Sequence, residues 1–449
     1  MSYSADTREQ CSRLRGEIPS EAPLGAAEVA LSPGVRWLAA VRRYRITRRE
    51  HWRRWVTSKP LEDQPVHRWF IFPHSFSSQL VHTLIAEWGL RASDRVLDPF
   101  VGAGTTLLSA KEKAIRGAGY DLSPLAVLAS RVKLANYSVA RLEKAWQQLQ
   151  AAMDPARWDG APKAYPLLVR RALPGRLLGA FAAIDNRIAE LDAAETERQF
   201  FRLALLSTLP RFSRAVATGG WLRWVKKRDS ASSIPASLSR QVAVMLADLR
   251  SSAVPPRSHW HVRQGDARTL PDQAGTYSAV VTSPPYPNRH DYTRVFGVEL
   301  MFGFLDPEGT KELRYQSFHS HPEAHPDRPD TRGYRQPIAL SRFLGRIRKE
   351  TREPRVPRML AGYFLDMYLC LKEARRVCKK NARLAVVVGN AQYCGQSLLV
   401  DELTAELGEQ TGLTCDNLLV ARFRGNSAQQ MGRYGRRPSR ETIVLFRKP

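Results

Sequence analysis

The chain's apolar residues fall into short runs: Val96-Leu97, Gly117 to Tyr120, Ala279 to Val281, Leu384 to Val388, Leu418 to Phe423 and Thr442 to Phe446. Runs this short, apolar on both faces, suit parallel strands covered by helices on both sides. Most are followed by helix-like segments, among them Thr105 to Ala114 and Leu399 to Gln410. Strand–helix alternation over this length predicts an α/β fold built on a doubly wound sheet.

Two stretches interrupt the alternation. Residues 139–258 read as a helical insert, with Leu142, Ala145, Trp146 and Leu149 at helical spacing, ending in the basic-aromatic run Gly219 to Arg228. Residues 306–358 read as a polar insertion without clear periodicity. The sheet core is then split into 61–138 and 259–449, and residues 1–60 form a basic N-terminal extension. Within that extension, Trp37 to Trp55 is either a helix lying on phosphates or a solvated charged face. Trp221 and Trp224, three apart, read as core residues of a helix face.

Charge narrows the partner. Lys and Arg number 69 against 43 Asp and Glu, a net +26, and the excess is mostly arginine. This excludes an acidic solvating protein and points to a polyanion, nucleic acid first, unless codon bias alone enriches arginine. The hydrophobic share of 43% excludes general disorder. No run approaches the ~18 apolar residues of a membrane span, and no signal peptide is apparent. The five cysteines, odd in number and without a CxxC pair, predict reduced thiols and a cytoplasmic setting. His319, His321 and His325 lack standard zinc spacing, so no metal is expected and solvent or phosphate contact is preferred.

Two motifs carry the chemistry. Asp98-Pro99-Phe100-Val101-Gly102-Ala103-Gly104-Thr105-Thr106 lies where a strand hands over to a helix, and its glycines let backbone approach a ligand closely. Asp121 closes the next strand, where an acid can accept from ribose hydroxyls. The second motif is Thr282-Ser283-Pro284-Pro285-Tyr286. Its prolines remove two backbone donors, leaving carbonyls free to accept from an amine beside a stacking ring.

Together these motifs resemble the S-adenosylmethionine-dependent amino-methyltransferases of DNA. The Ser-Pro-Pro-Tyr form is closer to the cytosine-N4 branch than to the adenine-N6 branch, which usually carries Asp-Pro-Pro-Tyr. The continuation Pro287 to Tyr292 also looks like bacterial members. The resemblance implies a Rossmann-like seven-stranded methyltransferase sheet with a helical insertion, 61–138 being the cofactor side and 259–449 the target-base side. It implies S-adenosylmethionine held by Asp98, Phe100, Gly102, Gly104 and Thr105, by Asp121 at the ribose and by Asp266 at the adenine amine. Ser77 and Ser78 match more loosely, near the carboxylate. Ser283, Pro284, Pro285 and Tyr286 would hold a base flipped out of duplex DNA.

Arg223, Lys226, Arg289, Arg424, Asn426, Gln430 and Arg433 are the DNA-binding expectations, since Arg, Asn and Gln pair with base edges and basic side chains with phosphates. The sequence-reading role falls to 139–258, to 306–358 or to the loop from Arg424 to Arg437. The resemblance further implies a prokaryotic setting, no membrane and a restriction or defence nuclease as companion. An adenine-N6 enzyme, an RNA base amino-methyltransferase and a catalytically silent DNA-binding partner are the alternatives.

Overall fold

Each of the six apolar runs becomes a strand of one sheet in the computed structural model, which describes residues 43–153, 158, 164–227, 229–252, 259–425, 432, 434, 435 and 437–449. Tyr44–Pro449 forms one compact unit. The first part of the core comprises β1 (Ile46–Arg48), α1 (Ser78–Glu87), β2 (Arg95–Asp98), α2 (Thr105–Glu112), β3 (Arg116–Asp121) and α3 (Pro124–Leu134). The insert follows with α4 (Val139–Ala152), α5 (Leu167–Ala172), α6 (Arg176–Glu190), α7 (Glu195–Phe212), β4 (Ala215–Thr218), β5 (Trp221–Trp224) and α8 (Ile234–Ser251). The core resumes with β6 (Trp260–Gln264) and β7 (Tyr277–Thr282), then α9 (Tyr292–Val295), α10 (Gly297–Gly303), α11 (Pro307–Gln316), α12 (Ile338–Glu350) and α13 (Arg355–Val377). It closes with β8 (Cys378–Gly389), β9 (Ala391–Tyr393), β10 (Gln396–Leu398), α14 (Val400–Gln410), β11 (Thr414–Arg424) and β12 (Ser439–Arg447).

The sheet order is β1-β11-β12-β8-β7-β2-β3-β6, and only β12 runs antiparallel to its neighbours β8 and β11. From β2 the chain winds outward through β3 and β6, whereas β7 returns to the other side of β2. This reversal opens a crevice at the carboxyl ends of β2 and β7, where α/β sheets bind ligands.

The expected seven strands gain an eighth. Ile46–Arg48, expected in a helix on phosphates or a solvated face, pairs parallel with Leu418–Val420 and covers the free edge of β11. Trp52 is buried, and Arg49 lies 4.5 Å above its ring while bonding Glu87 at 2.6 Å. The tryptophan is therefore spent on the core. Arg45, Arg48, Arg53 and Arg54 stay exposed.

The insert does not form a core of its own. Phe200, Leu205 and Leu209 of α7 and Val242 and Leu246 of α8 pack in the same cluster as Leu107 of α2 and Leu128 and Val132 of α3. Buried Asp248 pins it further, accepting from the Val66 backbone at 3.0 Å, Trp69 Nε1 at 2.9 Å and the Arg68 guanidinium. The basic-aromatic run is not helical. Gly219-Gly220 makes the two-residue turn of the β4–β5 hairpin, and positive φ at Gly219 alone (58°) suits a type II′ turn. Trp221 and Trp224 are 63% and 45% exposed, so neither is the core residue that helical spacing suggested. The insertion at 306–358 likewise contains α11 and α12. Leu340, Phe343, Leu344 and Ile347 form the buried face of α12, a helical period diluted by arginines.

Candidate active site

The crevice is a cleft of about 1140 Å³, counted out to its open mouth, lined from the ends of β2, β3, β6 and β7. Asp98, Phe100, Gly102, Thr105, Asp121, Asp266, Ser283 and Pro285 all line it. Residues 168 positions apart in sequence, Asp98 and Asp266, thus meet in one cavity.

The glycine-rich turn is shaped by two contacts. Gly102 adopts φ of 50°, and the Ser130 hydroxyl donates to its carbonyl at 2.8 Å. Gly104 caps α2 at φ of 83°, where a Cβ would sit 2.9 Å from Ser130 Oγ. Gly104 stands behind the cleft as a spacing residue and does not line it. Lys133 fastens the turn from below, donating to the carbonyls of His67, Phe70 and Ala103 at 2.9, 2.5 and 3.0 Å. Complete burial pulls its ammonium down to about 7.

Two acids face the cavity from this turn. Asp98 Oδ1 accepts from the Phe100 backbone at 3.1 Å and from Thr282 Oγ1 at 2.7 Å. Asp121 accepts from the backbones of Gly102 at 3.0 Å and Ser123 at 2.9 Å, one on each oxygen. Desolvation pushes both carboxyls up to about 6, against the pull of these bonds. Each Asp121 oxygen keeps a free lone pair for a further donor.

Asp266 is differently engaged. Its oxygens accept from the Arg268 backbone at 2.9 Å and from the guanidinium at 2.6 to 3.0 Å, two contacts on each oxygen with Nε shared between them. Ser77 and Ser78 do not line the cleft. Ser77 caps α1 by accepting from the Gln79 backbone at 3.1 Å, and Ser78 donates to Gln64 at 2.7 Å. Residues just before them do line it: Phe72, His74, Ser75 and Phe76.

At the second motif, Ser283 and Pro285 line the cleft while Pro284 turns toward α13 beside Met367 and Cys370. Tyr286 is buried; its hydroxyl donates to Glu441 at 2.8 Å, and the Arg424 guanidinium lies 5.6 Å over its ring. Burial and the Glu441 charge raise its phenol well above the ordinary value. Tyr393 clamps the loop by donating to the Pro287 carbonyl at 2.5 Å. Beyond it, His290 meets His74 and Tyr292 edge-on at 4.5 and 4.6 Å, with burial pulling its imidazole down to about 4. Glu441, His74 and Tyr292 are site residues that sequence reasoning did not find.

Arg289 is exposed at φ of 66° on the same loop, and Arg223 and Lys226 are exposed on the β4–β5 hairpin. Asn426, Gln430 and Arg433 lie outside the described residues. His319 bonds Asp366 at 2.8 Å, and His321 bonds Ser317 at 2.9 Å, so both serve packing networks around α13 and α11.

Comparison with known proteins agrees with this geometry. The chain is 26% identical over 454 residues to the Type II methyltransferase M.BsoBI of Geobacillus stearothermophilus, covering 88% of each chain. It is 28% identical over 442 residues to the Type II methyltransferase M.AvaI of Nostoc sp., covering 88% of this chain and 89% of that protein. The chain is thus similar over most of its length to Type II methyltransferases. A shorter match, 34% over 80 residues, is to the tRNA (guanine(10)-N2)-dimethyltransferase of Methanothermobacter thermautotrophicus. No protein-family model matches the chain.

S-adenosylmethionine is the cofactor of this methyltransferase. The residues present fit it: two carboxylates for hydroxyl and ammonium donors, a Gly102 backbone without a Cβ, and the Phe100 ring share one cleft. No helix among the described residues is long and apolar enough to cross a membrane.

Proposed function

We propose that the chain is a site-specific DNA methyltransferase acting on the exocyclic N4 amine of cytosine. The observation that carries the reading is that Asp98 and Ser283, from the two motifs, line one cleft at the β2–β7 crevice. Asp121 holds the ribose, Asp98 with the Gly102 turn holds the amino-acid end, and Asp266, on the cleft wall, meets the adenine amine. S-adenosylmethionine supplies an electrophilic sulfonium methyl group.

The chain's own contribution is to make a poor nucleophile reactive. A base amine delocalises its lone pair into the ring. Acceptance of its two N–H groups by Ser283 Oγ and the Pro284 carbonyl localises that pair on nitrogen. Tyr286, held by Glu441, stacks on the extruded base. The free cleft does not yet present this face, because Tyr286 is 6% exposed, so the loop must open with the base. Exposed Arg289 and half-buried Arg424 contact the DNA, and the companion is a nuclease of the same specificity.

Incubating the protein with labelled cofactor and unmodified DNA, then digesting to nucleosides, tests the reading. N4-methylcytosine is expected. N6-methyladenine would move the enzyme to the adenine branch, and transfer to tRNA alone would favour the RNA alternative. No transfer by a folded, cofactor-binding preparation would sink the proposal.

A further inference from the structure

The β4–β5 hairpin stands against the target-base loop and carries the most exposed tryptophan among the described residues. Its Gly220 packs so closely on that loop that a Cβ there would lie 3.3 Å from both the Arg289 carbonyl and His290 Cα. Side chains alternate along β5, so Leu222 and Trp224 point one way and Trp221 and Arg223 the other. Leu222 packs against the insert core and Trp224 lies under Arg171, 4.8 Å from its guanidinium. Trp221, 63% exposed, rests on Arg294 at 5.0 Å, and Arg294 is in turn tied to Asp291 at 3.2 Å, the cap of α9. A chain of contacts thus runs from the hairpin to the segment that follows Pro284-Pro285-Tyr286.

The hairpin's chemistry selects its partner. From Arg211 to Lys227 the sequence holds five basic residues and no acidic one, and Arg214, Arg223 and Lys226 are exposed. A large ring kept in water beside exposed cations suits a partner with flat aromatic faces and a negative backbone. A protein partner would be expected to meet an apolar patch instead, and here the outward neighbour of Trp221 is an arginine.

We propose that the β4–β5 hairpin enters duplex DNA beside the target base, and that Trp221 stacks in the space the extruded base leaves while Arg223 and Lys226 hold flanking phosphates. This rests on the DNA methyltransferase reading above. A side chain that fills the gap offsets the unstacking cost of extrusion, which is smallest for a base without a pairing partner.

The test uses the full-length protein and a short synthetic duplex carrying a site first mapped by sequencing methylated phage DNA. The target is either normally paired or opposite an abasic position. Trp221→Ala is expected to lose roughly ten- to a hundredfold in turnover on the paired duplex and to recover to within about threefold of the wild type on the abasic one. Trp221→Phe should fall between. Arg223→Ala should lose equally on both duplexes and lower the salt slope of binding by about one. Equal losses for Trp221→Ala on both duplexes, or no loss on either, would overturn the proposal, as would a loss confined to binding of a companion protein. If Trp221→Ala fails to keep wild-type cofactor affinity, Trp221→Phe decides by the same comparison. Absence of methylation by the wild type would instead count against the methyltransferase reading itself.

Discussion

Thr282 donates its hydroxyl hydrogen to Asp98 Oδ1 at 2.7 Å, joining the last residues of β7 and β2. The bond locks the strand end before Ser283 to the strand end before the glycine-rich turn, so the base side and the cofactor side cannot drift apart. Thr282→Val keeps the shape and removes the donor from a buried carboxylate. Stability should fall by about 1–3 kcal/mol in urea unfolding, and the Asp98 carboxyl, already near 6, should rise further. Calorimetry at neutral pH should show weaker cofactor binding. An unchanged affinity would detach Asp98 from that role.

The same acids set a pH dependence. Desolvation raises Asp98 and Asp121 from 3.8 to about 6, so the folded chain holds these protons more tightly than the unfolded one. Their contribution to stability is therefore fully present below about pH 4 and is lost as pH rises through 6. Cofactor binding runs the opposite way, because hydroxyl and ammonium donors want the ionised form. Affinity should be flat from pH 8 to 7 and fall by roughly tenfold per unit below about 6 for each acid that must ionise. Asp121→Asn should flatten this fall; a profile unchanged by the substitution would remove Asp121 from the binding site.

The strands were legible because burial on both faces leaves only apolar residues to choose from, and the motifs because a turn against a ligand tolerates few side chains. Side-chain pairing was not legible in the same way. Asp266 reads as a free acceptor until Arg268, two residues on, folds back over it. Trp221 and Trp224 are three apart, a spacing that suits one face of a helix but that the β4–β5 hairpin places on opposite faces of a strand. Gly219-Gly220 was the contrary signal. Ile46–Arg48 could not be assigned to the sheet at all, since its partner at Leu418 lies more than 300 residues away and three residues carry no period of their own.

Arg268 offers a direct measure of how far Asp266 is committed. The guanidinium is buried between Asp266 at 2.6 Å and Asp366 at 3.5 Å and donates to the Gln316 carbonyl at 2.7 Å. Arg268→Met would leave a buried acid short of its partner, and unfolding should cost about 3–5 kcal/mol less than in the wild type. Asp266→Asn keeps the size but loses the charge. It should weaken cofactor binding about tenfold, the worth of one charge-assisted hydrogen bond, with a smaller loss of stability. Equal affinities would assign Asp266 to packing alone.

Tyr286 separates ring from hydroxyl. Glu441 accepts from the phenol at 2.8 Å and also bonds the Arg422 guanidinium, so it stays paired when the phenol is removed. Tyr286→Phe keeps the ring and should retain turnover within about tenfold, the loss reflecting one hydrogen bond to a charged group. Tyr286→Ala removes the stacking face and opens a gap beneath Arg424. Turnover should then drop by a hundredfold or more, an effect on the order of 3 kcal/mol, while cofactor affinity measured by calorimetry stays at the wild-type value. Loss of cofactor binding in parallel with turnover would mean that Tyr286 supports the cleft instead of the base, and equal rates for all three proteins would remove it from the reaction.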